Sequence, residues 1–149
     1  MDNLVTDKLT DIEETKAVLA LYEKAKEYLE SFSWCKSILN CWFDKDFCIY
    51  DKIGVFLFEI DPMNEDVDDY IWIIVGDLPS VYLDKSVLTP NDALITYCDL
   101  MEDWTNCILN DSDISECYPV LAEPTKKNAD LLNKRIEFIR REIILNKKQ

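Results

Sequence analysis

The feature that most restricts the fold of this chain is a pair of short segments, residues 55–60 and 71–75, that are almost entirely apolar. A strand with one solvent-facing side alternates apolar and polar residues, whereas these segments are apolar at nearly every position. Strands of this kind are central in a sheet or buried on both faces. The sequence therefore predicts a sheet built around these two strands, with residues 61–70 as the connection between them.

A further strand region precedes the two apolar strands. Residues 37–43 and 47–50 are rich in aromatic and β-branched side chains, and Asp44-Lys45-Asp46 between them is typical of a turn. We therefore predict a hairpin here, which completes an antiparallel sheet of three or four strands.

Three helices are indicated by capping signals and apolar stripes. A capping box that begins at Thr10 precedes a helix over about residues 11–31. Thr89 followed by Pro90 is typical of the start of a second helix. A third helix, over about residues 126–145, has a core stripe at helical spacing and a basic stripe beside it.

The order of these elements defines the fold class. The chain of 149 residues has the size of one domain and contains no internal repeat and no linker-like segment. The prediction is a single α+β domain over residues 1–149, with an N-terminal helix, an antiparallel sheet and two C-terminal helices.

The formal net charge of −14 is unevenly distributed. Residues 1–125 carry a net charge of −19, whereas residues 126–149 carry +5. Between Glu59 and Cys117 there are fifteen acidic side chains and one basic one, Lys85. A field of this sign repels nucleic acid and anionic membranes and attracts basic proteins. The same acidity is also consistent with a role in solubility alone.

The absence of histidine excludes whole classes of chemistry. Ser-His-Asp and Cys-His nucleophiles and the commonest zinc and iron sites all need histidine, so we predict a protein that is not an enzyme and uses no cofactor. The six cysteines form no CxxC pair. No signal peptide is evident, and the longest apolar runs are about five residues, against about 20 for a membrane span. These observations predict a cytoplasmic protein with reduced thiols and no membrane association.

One dense group of acids lies between the two apolar strands: Glu65, Asp66, Asp68 and Asp69. The segment lacks the glycine and the final glutamate of a calcium-binding EF-hand loop, so we predict no metal site there. The simplest interpretation is a solvated loop. The alternative is a docking site for a cationic partner, because acids on a short loop between rigid strands are held in place.

A second group of acids, Asp99, Glu102 and Asp103, lies on the second helix. Asp99 and Asp103 are a like-charge pair at i,i+4 spacing, which costs the helix a few tenths of a kcal/mol. Surface acids without a specific role are the simplest interpretation. A metal-assisted hydrolase that uses these three acids and Asp77 is a further hypothesis.

Aromatic side chains crowd the predicted hairpin: Trp34, Trp42, Phe43, Phe47 and Tyr50. Core packing is the simplest explanation for them. If one strand face stays open, Trp42 or Phe43 would be able to anchor a partner.

The segment Val75-Gly76-Asp77-Leu78-Pro79, followed by Tyr82-Leu83, resembles a family of small acidic bacterial proteins with a GDLPxxYL turn after a buried strand. The resemblance extends over about residues 55–145, and the turn is its most specific part. No activity is established for that family. In type, the chain is similar to the immunity proteins of bacterial toxin systems, which are small, acidic, α+β and non-catalytic. The other matching positions are Ala93, Leu94, Tyr97, Met101, Glu102, Trp104, Arg135, Ile136, Phe138, Ile139, Arg140, Ile143, Ile144 and Leu145.

These observations together favour an immunity-like inhibitor that masks a basic partner, such as a toxin, by electrostatic complementarity. Asp77 either caps local N–H groups or faces a ligand beside Tyr82. The alternative is a structural or adaptor domain, homodimeric in one version, whose interface is the aromatic hairpin. The predicted partner-binding residues are Glu65, Asp66, Asp68, Asp69, Asp77, Tyr82, Asp99, Glu102 and Asp103.

Overall fold

The computed structural model describes residues 12–49 and 52–144. Thr10 of the predicted capping box, Tyr50 and the C-terminal residues from 145 onward lie outside the described residues. The chain divides into two compact units, Met1–Ala93 and Leu94–Gln149.

The first unit contains one helix and one sheet. Helix α1 (Ile12–Glu30) is followed by strands β1 (Cys35–Ile49), β2 (Ile53–Pro62), β3 (Tyr70–Gly76) and β4 (Val81–Leu83). The strands form one sheet in the order β1-β2-β3-β4, and every neighbouring pair is antiparallel. The predicted α+β class, with an N-terminal helix and an antiparallel sheet, is therefore confirmed.

The central strands are buried on both faces, as their apolar sequences predict. On one face, Phe56, Phe58 and Ile73 belong to a core cluster with Leu21 and Leu29 of α1. The opposite face is equally closed. Its side chains are 0–1% exposed and are those of Val55, Leu57, Trp72 and Ile74.

The predicted hairpin within residues 37–50 is wrong, because β1 is one strand of 15 residues. Phe43 pairs with Phe56 and Cys48 pairs with Gly54, so β1 uses more residues than β2 between these two pairs and bulges outward. The backbone N–H of Asp46 donates to Asp44 Oδ1 at 2.9 Å inside this bulge. Asp44 thus makes the hydrogen bond of a turn without reversing the chain.

Helix α2 (Pro90–Leu109) starts at the end of the first unit and continues into the second. The Thr89 hydroxyl oxygen accepts a hydrogen bond from the backbone N–H of Asp92 at 3.0 Å, which confirms the predicted cap. One face of this helix is buried, at five positions spaced three or four residues apart: Ala93, Tyr97, Met101, Trp104 and Ile108.

Helix α3 (Lys126–Glu142) belongs to the second unit. Thr125 caps it, since its side chain accepts from the backbone N–H of Asn128. The hydroxyl of Thr105 in α2 donates to Asn133 Oδ1 in α3 at 2.7 Å, a polar link between the two helices. Among the described residues, no helix is both long enough and apolar enough to cross a membrane.

Candidate functional site

The four acids between the apolar strands lie on a loop of residues 63–69 that joins β2 to β3. The loop is tied down by backbone hydrogen bonds. The Ile60 N–H donates to the Asp69 carbonyl at 2.9 Å, and the Asp66 N–H donates to Asn64 Oδ1 at 2.8 Å. The carboxylates therefore extend from an anchored backbone, as a docking loop requires.

Lys85 divides the four loop acids into two pairs. Its ammonium group lies 3.3 Å from Asp69 Oδ1, and its backbone N–H donates to Asp68 Oδ2 at 3.2 Å. Within the described part of the chain, Glu65 and Asp66 have no basic side chain in ion-pair contact, and both are exposed. Glu65 and Asp66 are thus the two loop acids that Lys85 does not contact.

Three aromatic rings meet beside this loop. The Tyr82 ring of β4 lies 5.1 Å from the Phe32 ring and 5.2 Å from the Trp34 ring, and the latter two rings stack at 4.9 Å. The Met63 N–H donates to the Trp34 carbonyl at 2.9 Å, which connects the rings to the start of the loop. Tyr82 is 36% exposed and Met63 is 55% exposed.

We call this region the acidic–aromatic surface. It consists of Phe32, Trp34, Tyr82 and the loop of residues 63–69. It combines half-open aromatic rings with uncompensated carboxylates, and all of it lies within the first unit.

The turn that carries Lys85 is fastened to the core of the first unit. The indole N–H of Trp72, a fully buried side chain, donates to the Val87 carbonyl at 2.8 Å. Asp84 accepts hydrogen bonds from the hydroxyl and the backbone N–H of Ser86, and these bonds lower the pKa of Asp84. Lys85 is therefore held in position between a core hydrogen bond and a local turn.

Asp77 lies immediately after β3 and is exposed. Its backbone N–H donates to the Lys52 carbonyl at 2.9 Å. The preceding residue, Gly76, has a φ of +147°, a backbone conformation that side chains with a Cβ rarely adopt. Its carbonyl accepts from Lys24 Nζ of α1 at 2.7 Å. This turn thus fixes the end of β3 to Lys52, just before β2, and to α1.

The acids of α2 belong to the second unit, where a base that the sequence did not suggest lies beside them. Arg140 of α3 donates to Asp99 Oδ1 and to Glu102 Oε2, each at 3.0 Å. These two acids therefore do not lie alone on the surface of α2. The guanidinium group offsets the mutual repulsion of Asp99 and Glu102, so the group has a structural role that links the two helices.

We expect the change Arg140→Gln to lower the free energy of unfolding by about 1 kcal/mol at low salt. The loss is modest because both ion pairs are partly exposed, and it should shrink at high salt because exposed charges are screened. Urea denaturation at the two salt concentrations measures it. Arg141→Gln is the control: Arg141 pairs with the adjacent Glu142 in solvent, so its loss should stay within about 0.5 kcal/mol. Equal losses in both variants would contradict the interhelical role.

The aromatic residues that the sequence assigned to a hairpin have separate environments. Phe43 and Phe47 are buried, at 9% and 4% exposure, so neither is an anchor for a partner. Trp42 is half-buried with its ring 6.1 Å from that of Tyr70, and Trp34 belongs to the acidic–aromatic surface. The sequence reasoning named Tyr82 but missed Phe32 and Trp34 as its neighbours. The signal was weak, because Phe32 ends the apolar stripe of α1 and looks like a core residue.

Within residues 12–49 and 52–144, no group of three or more Cys, Asp or Glu side chains is arranged to hold a metal ion. Comparison with protein-family models, with curated proteins and with solved structures gives no match for this chain. The resemblance to a GDLPxxYL family and to immunity proteins therefore stays a prediction from the sequence.

Proposed function

We propose that this protein is a non-catalytic binding protein that masks a basic partner through its acidic–aromatic surface. The observation that carries the proposal is the position of Glu65 and Asp66, which have no basic side chain in ion-pair contact in the described chain and lie on a loop bonded to Trp34. Aromatic rings supply buried contact area at interfaces, and unpaired carboxylates supply attraction for lysine and arginine.

The charge of the whole chain supports the same partner chemistry. Fifteen acids and one base between Glu59 and Cys117 produce a negative field over a long stretch of sequence. That field accelerates the approach of a cationic protein and repels polyanions. Lys85 is the one base in that stretch, and it pairs with Asp69, so it does not neutralise Glu65 or Asp66.

The finer form of the proposal is an immunity-like inhibitor whose partner is a toxin with a basic, nucleic-acid-binding cleft. The carboxylates of the loop would occupy the positions of phosphates against lysine and arginine side chains. Its support is the acidity of the chain and its resemblance in type to immunity proteins. The proposal of an immunity-like inhibitor includes a cytoplasmic location for this protein.

The test compares two charge-reversed variants in a pull-down from lysate of the source cells. In Glu65→Lys/Asp66→Lys, we expect basic proteins retained by the unaltered chain to be reduced at least tenfold, because both attractive charges become repulsive. Glu116→Lys/Glu123→Lys is the matched control: it changes the net charge equally at two exposed positions of the second unit. The amounts are measured by mass spectrometry after low-salt and high-salt washes.

The outcomes separate this proposal from the adaptor alternative. If both variants retain equally reduced amounts of basic proteins, the total charge determines binding and the loop does not. That result contradicts the proposal. A neutral protein, or the chain itself, retained through high salt by all variants would favour an adaptor. The edge strand β1, where Leu39 is 55% exposed, would then be the surface to alter.

A further inference from the structure

Two thiols of the second unit lie close enough to react with each other. The Sγ atoms of Cys107, in the last turn of α2, and Cys117, in the segment that follows, are 3.6 Å apart. A disulfide has an S–S distance of about 2.05 Å, so the sulfurs must approach by only about 1.5 Å. Both cysteines are half-buried, so a small oxidant has access to them.

We propose that Cys107 and Cys117 are an oxidation site, at which a peroxide produces an intramolecular disulfide. With hydrogen peroxide, one thiolate attacks an oxygen atom and becomes a sulfenic acid, and hydroxide leaves. The second thiol then displaces water from that sulfur as the S–S bond forms. In sum, two thiols lose two electrons and two protons, and one peroxide is reduced to two water molecules.

The segment between the two cysteines favours closure without disturbing a helix. Cys117 follows a stretch without regular secondary structure, and its position is set by turn contacts such as the bond from its N–H to the Ile114 carbonyl at 3.0 Å. Backbone in such a stretch adjusts more readily than a helix core. The Ser112 N–H donates to the Cys107 carbonyl at 2.7 Å and keeps the segment folded back toward α2.

Three of the four other cysteines, Cys41, Cys48 and Cys98, are less suited to this reaction. Burial raises the pKa of Cys41 to about 12 and that of Cys48 to about 11, so their reactive thiolates are scarce at neutral pH. Cys98 is completely buried. Partial burial, the hydrogen bond to Cys107 and the nearby carboxylates of Asp103 and Asp113 also raise the pKa of Cys117. We therefore expect the bond to form slowly, over minutes to hours.

Mass spectrometry of the full chain after treatment with hydrogen peroxide tests the proposal. We expect free thiols, titrated in denaturant, to fall from six to four, with a mass loss of two hydrogens. Asp111 and Asp113 lie between the two cysteines, so a protease that cuts before aspartate yields two fragments joined by the disulfide and separated on reduction. The oxidised chain should also unfold at a melting temperature about 5 °C higher, because the bond restricts the conformations of the unfolded chain.

Serine variants make the assignment specific. In the variants Cys107→Ser and Cys117→Ser, oxidation should no longer remove two thiols. In Cys35→Ser, which replaces a half-buried cysteine outside the pair, oxidation should still remove two thiols. Retention of all six thiols, a bond that maps to Cys41 and Cys48, or a bond between two chains would overturn the proposal. If a serine variant fails to fold, the fragment map of the unaltered chain still identifies which two cysteines are joined.

Discussion

Replacing Gly76 with alanine is expected to lower the free energy of unfolding by about 3–5 kcal/mol, a large part of the total stability of a domain this size. The new Cβ would lie 2.1 Å from the Lys52 carbonyl oxygen and 2.7 Å from its carbonyl carbon. These are backbone atoms of the neighbouring chain segment, so no side-chain rotation relieves the clash. The φ of +147° adds strain for any residue with a Cβ. Urea denaturation followed by circular dichroism measures the loss.

Gly54→Ala is the graded control for this prediction. A Cβ at Gly54 would meet Phe56 Cε2 at 2.8 Å and Leu21 Cβ at 3.1 Å, both of which are side-chain atoms. The aromatic ring is able to shift by a few tenths of an ångström, so the expected loss is about 1–2 kcal/mol. If Gly76→Ala proved no more destabilising than Gly54→Ala, the positive φ and the clash with Lys52 would not describe the protein in solution.

Replacing Trp72 with alanine is expected to cost about 3–5 kcal/mol of the free energy of unfolding. The side chain is 0% exposed, and its removal leaves a large cavity in the sheet. It also removes the indole N–H that donates to the Val87 carbonyl at 2.8 Å. The same denaturation measurement determines the loss, and a value below about 1 kcal/mol would show that Trp72 is not a core residue.

The change Trp72→Phe separates the hydrogen bond from the packing. We expect a smaller loss of about 1–2 kcal/mol, since most of the ring volume remains but the Val87 carbonyl has no donor. Hydrogen exchange should then become faster in residues 84–89, the turn that carries Lys85, than in β2 and β3. Trp42→Phe is the control, because Trp42 is half-buried and its replacement should leave that turn unchanged. Uniform faster exchange across the first unit would contradict a specific role for the indole bond.

Short-range signals account for the parts of the fold that the sequence predicted. The central strands are visible as apolar runs, and the start of α2 is visible in Thr89 and Pro90, because both patterns depend on neighbouring residues. The bulge of β1 was misread for the same reason. The hydrogen bond from the Asp46 N–H to Asp44 is local, and it forms equally well in a turn and in a bulge. The distinction depends on β2, whose pairing with β1 continues past the bulge to Ile49 and Ile53.

The candidate site depended on contacts that a sequence does not display. Lys85 meets Asp69 across 16 residues, and Arg140 meets Asp99 across 41. In each acidic group, the contact distinguishes an acid with a basic partner from its neighbours, a distinction that the sequence alone does not show. Phe32 and Trp34 lie in the segment between α1 and β1 and Tyr82 lies in β4, so only the folded chain brings their rings together.

The irregular course of β1 makes this edge of the sheet a poor template for a further strand. β1 lies at the edge of the sheet, and a regular strand of 15 residues would offer a long row of unsatisfied N–H and C=O groups to any other extended chain. Its register shifts three times, so the longest regular stretch runs only from Asn40 to Phe43. A second strand would find few consecutive hydrogen bonds before losing register. Distorted edge strands of this kind disfavour the regular stacking of strands that ordered aggregates require.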